Sequence, residues 1–147
     1  MDLIEGQYSM THLQWMCQRA NHSNYMVYIL FKGLKRIYNQ LLNFLRSPEV
    51  KGRLDAGAVG ELKRNLQQFL DGVNMLKDEL DDYVDTYNFL QALDHEDDRH
   101  MIRANTTIFC TAPRGVIRTF ISEATRVHQR TIDKLESLVE EQEPIEP

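Results

Sequence analysis

The nine residues "ALDHEDDRH", 92–100, contain four acids (Asp94, Glu96, Asp97, Asp98) and two histidines (His95, His100). Such side chains ligate metals and move protons, so chemistry is sought here first. A calcium loop starting at Asp94 needs glycine at its sixth position and glutamate at its twelfth. Arg99 and Asn105 stand there instead. On a helix Glu96 and His100 share a face, whereas His95 and His100 diverge by about 140°. Zinc takes three or four ligands, and a third would have to be folded in from His12, His22 or His128. Glu96 and His100 are therefore only weak metal candidates. The expected reading is a solvated corner whose acids favour the positive N-terminus of a following helix.

A second acidic run, "KDELDDYVD", lies at 77–85. Bundle metal sites project inward, but the helical register sets Asp71, Asp78 and Asp85 outermost, with Asp81 and Asp82 beside them. This stripe reads as a solvated face, or as a docking surface for a basic partner. Arginines recur at Arg114, Arg118, Arg126 and Arg130, with Ser122 interrupting an i, i+4 series. Arginine presents a bidentate fork to phosphate, so this row is the candidate anion-binding site. The competing reading is pairing with Glu123, Asp133 and Glu136.

His128 sits between apolar neighbours and reads as a core histidine. Cys17 and Cys110 have no adjacent histidine and no C-x-x-C context, so neither reads as a nucleophile. No Gly-rich phosphate loop, G-x-S-x-G elbow or H-E-x-x-H motif occurs. No catalytic residue is assigned, no cofactor is expected, and the chain is read as non-enzymatic. The competing enzyme class is a metal-dependent bundle using Glu96, His100 and acids of the second helix.

The elements that carry these residues are legible from periodicity. Val59, Leu62, Leu66, Phe69, Val73, Leu76, Leu80, Tyr83, Tyr87 and Leu90 alternate in steps of three and four. Such a stripe faces partner helices, and it predicts one helix over 56–92 with Asp55 as N-cap. Leu13, Met16, Ala20, Ser23, Val27, Leu30, Leu34, Ile37, Leu41 and Phe44 repeat the pattern. They predict a helix over 9–46, capped by Ser9 and stopped by "SPE", 47–49. Ile117, Ile121, Ala124, His128, Thr131, Leu135 and Leu138 predict a third helix over 112–141. It is expected to continue back to about residue 98, with a kink near Pro113 and Thr111 as a candidate cap.

The fold is thus expected to be all-α: an elongated antiparallel bundle of three long helices with coiled-coil-like heptad packing. Breaks in the polar run 21–24 and at 111–113 would raise the count to four or five. One domain, 1–141, is expected, with an acidic, proline-containing tail at 142–147.

A chain of 147 residues can bury a full core without disulfides. The net charge of −5 disfavours general nucleic-acid binding. Charge is unevenly spread. Residues 1–54 hold seven basic and three acidic side chains, 55–98 three and twelve, 99–147 seven and seven. The longest apolar run, "YMVYILF" at 25–31, is too short to span a bilayer. The start has no basic n-region, so a reducing intracellular compartment is expected rather than secretion.

The first helix carries more apolar surface than one bundle needs. Trp15, Tyr25, Tyr28, Ile29 and Leu42 fall on outward positions, and a helix apolar on all sides is usually covered on all sides. The expected function is a protein–protein interaction or assembly subunit. Trp15, Tyr25, Tyr28 and Ile29 would contact another copy of the chain or a partner. The alternative is a binder of phosphate-bearing RNA or acidic lipid through the arginine row.

Overall fold

The structure is a computed structural model. It describes residues 10–48, 55–106 and 114–142, with the backbone alone for 10 and 139–142. Among the described residues the fold is all-α, with no strand. The helices are α1 (Met10–Arg46), α2 (Ala56–Ala92), α3 (Glu96–Asn105) and α4 (Arg114–Gln142). No described helix is long and apolar enough to cross a membrane.

The helix ends follow local chemistry. Asp55 caps α2, its Oδ1 accepting from the Ala58 N–H at 2.7 Å. The predicted cap of α1, Ser9, lies outside the described residues. At the other end of α1 the Ser47 hydroxyl donates to the Phe44 carbonyl at 2.6 Å. Pro48 follows, and proline disfavours helical backbone in the residue before it. The polar run 21–24 does not break α1, because Ser23 and Asn24 are buried within it.

The third predicted helix is two helices. Thr106 leaves helical backbone (φ −105°, ψ 141°), and its N–H and hydroxyl both donate to the Ile102 carbonyl, at 3.0 and 2.8 Å. The Asn105 amide donates to the Met101 carbonyl at 2.8 Å. Side chains that bond to preceding carbonyls compete with helix propagation, and here they close α3. Thr111, Pro113 and the tail beyond Gln142 lie outside the described residues.

The chain forms two compact units. The first combines the residues up to Ile29 with Leu76–Arg114, and the second combines Leu30–Met75 with the chain from Gly115 onward. In the first unit the early half of α1 packs against the late half of α2, as an antiparallel pair must. Leu13, Cys17 and Ala20 meet Leu90, and α3 closes over them with Met101 and Ile102. Val27, Leu76 and Leu80 are also fully buried. Each such leucine or valine contributes about 1.5–3 kcal/mol on burial. Four polar side chains share this interior: Ser23, Asn24, Thr86 and Asp98.

In the second unit aromatic side chains join the core, with Phe69 and Phe120 buried. Val59 and Leu66 of α2 pack with Leu135 of α4, flanked by Leu41, Phe44 and Ile132. Phe31 and Tyr38 meet Phe120 edge-on, at 5.2 and 5.3 Å between ring centroids. At Gly72 a Cβ would stand 3.0 Å from Leu34 Cδ2, so α1 and α2 approach closely at that point. Lys134 Nζ donates to the carbonyls of Phe44 and Ser47 at 2.7 and 2.9 Å, satisfying the C-terminal end of α1. Two stripe positions predicted as core are not covered, since Ile37 and Leu62 are each 39% exposed.

Candidate interaction surface

The corner at 92–100 is a helix start. His95 is the N-cap of α3, its Nδ1 accepting from the Asp97 N–H at 3.3 Å, and Glu96, Asp97 and Asp98 fill the first turn. Acids there are stabilised by the helix dipole. Glu96 and His100 are both exposed. No group of three or more His, Cys, Asp or Glu able to hold a metal occurs among the described residues. Asp98 departs from the solvated reading. It is buried, and its Oδ2 has no hydrogen-bond partner. The cause is helical register: Met101 and Ile102, three and four residues on, share its face and enter the core.

The arginine row does not form a cradle. Arg114 belongs to the first unit, where its guanidinium lies 5.8 Å from the Tyr87 ring centroid. Arg118, Arg126 and Arg130 are exposed on the second unit, and Arg126 pairs with Glu123 at 3.1 Å. An i, i+4 row drifts by about 40° per step, so Arg118 and Arg130 stand about 120° apart around α4. Asp71, Asp78 and Asp85 are exposed, as the register predicted. Asp71 accepts from Gln67 at 2.9 Å.

Two of the candidate reactive groups, Cys17 and His128, are described, and both are buried. Cys17 is fully buried, and burial pushes its thiol pKa up; a protonated thiol is a poor nucleophile. Cys110 lies outside the described residues. His128 is buried in the second unit with Nε2 unpartnered, and burial lowers its pKa from 6.5.

The outer face of α1 in the first unit is different. Trp15 is 51% exposed, Tyr25 48% and Ile29 43%. Tyr28, predicted on the same face, is only partly exposed and turns away from it. Two further exposed residues complete the row, Gln18 and His22. Trp15, Gln18, His22, Tyr25 and Ile29 are spaced three, four, three and four. The buried stripe of the same helix segment, Leu13, Cys17, Ala20, Asn24 and Val27, keeps the same alternation. One helix segment therefore carries two seams, one covered and one open. The second seam was readable from spacing, but Gln18 and His22 hid it from a search for apolar residues alone.

Trp15 is held in place on this seam. His12 stacks on its ring at 6.1 Å. The Arg19 guanidinium lies 5.6 Å from the ring centroid and pairs with Asp82 at 3.1 Å. Beside it opens a shallow cleft of about 350 Å³, walled by Met16, Asp85, Thr86 and Phe89 as well. A ring already fixed by its neighbours loses little entropy when a partner covers it. The chain matches no protein-family model, no curated protein and no solved structure.

Proposed function

We propose that the chain is a non-enzymatic assembly subunit that pairs with a second copy through the open seam of α1, helix against helix in coiled-coil fashion. The observation that carries this reading is the exposed Trp15–Gln18–His22–Tyr25–Ile29 row at coiled-coil spacing. The five row residues include no carboxylate, lysine or arginine, so the row itself carries no like-charge repulsion. His22 is its midpoint. An antiparallel two-fold axis through His22 sets Trp15 against Ile29 of the partner subunit and His22 against His22 of the partner subunit. Such self-complementary pairing is how a closed dimer is made.

Gln18 and His22 lower the affinity of such a seam and fix its register, as a lone polar seam residue does in a coiled coil. The test is light scattering on wild type and on the Trp15→Ala, Tyr25→Ala double variant. Wild type is expected to dimerise. The double variant should be monomeric, with a loss of about 2 kcal/mol or more at an interface hot spot and unchanged helical circular dichroism. A wild-type monomer, or a double variant with the wild-type mass, would sink the reading.

A further inference from the structure

The second unit has a feature that assembly through α1 does not use. Ile37 of α1 and Leu62 of α2 are stripe residues, yet each is 39% exposed. Both open onto one cavity of about 310 Å³, bounded by α1, α2 and α4. The cause lies on α4. The residue aimed at this space is Thr131, which is buried, and its hydroxyl donates back to the Val127 carbonyl at 2.7 Å. Leu135, one turn on, closes the end of the cavity. A leucine-sized side chain at 131 would fill space that threonine leaves open.

We propose that this cavity is a binding site for a small, uncharged, mostly apolar molecule carrying one hydroxyl group. Three observations select that chemistry. The volume is in the lower range of ligand pockets and equals that of about ten waters. Seven of the lining side chains are apolar, three are neutral and polar (Gln40, Asn65, Thr131), and none is charged. An ion placed there would lose part of its hydration with no countercharge in the lining, which favours an uncharged occupant. Finally, the Thr131 hydroxyl proton is committed to the Val127 carbonyl, so toward a ligand this side chain can only accept a hydrogen bond. Gln40 and Asn65 are exposed and stand at the mouth.

The probe for the test is N-phenylnaphthylamine, an uncharged fluorophore, titrated into the full chain. Saturable uptake of one probe per chain is expected. Decanol should displace it, and decanoate, of equal length but charged, should compete at least about tenfold more weakly, a difference of about 1.4 kcal/mol. Thr131→Leu fills the floor and should weaken uptake by more than about tenfold. Leu62→Trp blocks the mouth from an exposed position and should do the same if the floor variant does not fold. Trp15→Ala with Tyr25→Ala should leave uptake unchanged, which separates this site from the α1 seam.

Absence of saturable uptake overturns the proposal. So does equal uptake in wild type and both blocking variants, or equal competition by decanol and decanoate. If wild type takes up no probe but Leu62→Trp changes its mass in solution, the cavity is a packing face between copies and the proposal fails.

Discussion

The two units leave apolar surface open in different places. In the first, Cys17, Ala20, Ser23 and Asn24 are buried beside Leu13, Leu80 and Leu90, while Trp15, Tyr25 and Ile29 stand outside. In the second, Phe69, Phe120 and Leu135 are buried, yet a cavity lined by Phe69 and Leu135 stays open beside Ile37 and Leu62. Small side chains let helices approach closely and fill the space between them. Large ones fill space only where their shapes match. The difference keeps the two proposals apart: association through the outer face of the first unit, and small-molecule uptake inside the second.

Core truncation should show the largest effect. Leu80→Ala in the first unit, where Leu80 is 1% exposed, should cost about 2–5 kcal/mol in denaturant unfolding. A cost under about 1 kcal/mol would mean that this interior is not packed as described. The same unit should tolerate Trp15→Ala with a stability change within about 0.5 kcal/mol under monomeric conditions, although association falls. A comparably large loss of monomer stability would make Trp15 a core residue and erase the contrast.

His128 supplies the next effect, in the second unit. Its native pKa lies below 6.5 because burial disfavours the charged ring. As pH falls from 7, the unfolded imidazole binds a proton before the native one does. Stability is therefore fully present above about pH 6.5 and is lost as pH falls through the interval down to the native pKa. His128→Leu removes this loss. It also removes the unpartnered Nε2, and should raise stability at neutral pH by about 1 kcal/mol. Unfolding curves at neutral and acidic pH test this. A variant as acid-sensitive as wild type contradicts it.

The smallest effect is expected at two glycines of the second unit. A Cβ at Gly33 meets nothing within 4 Å, so Gly33→Ala should add about 0.5–1 kcal/mol through helix propensity. At Gly72 the same gain is offset by the 3.0 Å approach to Leu34 Cδ2. Gly72→Ala should fall below Gly33→Ala in thermal stability. The reverse order would mean that the two helices are not close there.

The sequence showed the helices well and their surroundings less well. Steps of three and four located α1 and α2, because one face of each must be apolar whatever covers it. The break after Asn105 was missed. Its cause is a local competition, in which Asn105 takes the Met101 carbonyl and Thr106 the Ile102 carbonyl, and periodicity does not register that. Asp98 was misplaced because residue type argued for solvent while register argued for the core, and register prevailed. Ile37 and Leu62 were expected to be covered. Whether a stripe residue is covered depends on the size of the residue opposite, here Thr131, and one helix's pattern does not contain that. Tyr28 was assigned to the open face as an outward heptad position, yet it lies about 60° around the helix from Tyr25, toward the buried stripe, and is only partly exposed.

Cysteine cross-linking tests the central claim most directly, because it reads which residue lies on the two-fold axis. In a chain with Cys17→Ser and Cys110→Ser, the account predicts that His22→Cys forms a disulfide-linked dimer rapidly under mild oxidation. Trp15→Cys alone should not, while a mixture of Trp15→Cys and Ile29→Cys chains should. A bridge requires the two Cα atoms to approach within about 7 Å, so only facing positions qualify. Fast cross-linking by Trp15→Cys alone would show parallel pairing. No cross-linking by His22→Cys would contradict the seam itself.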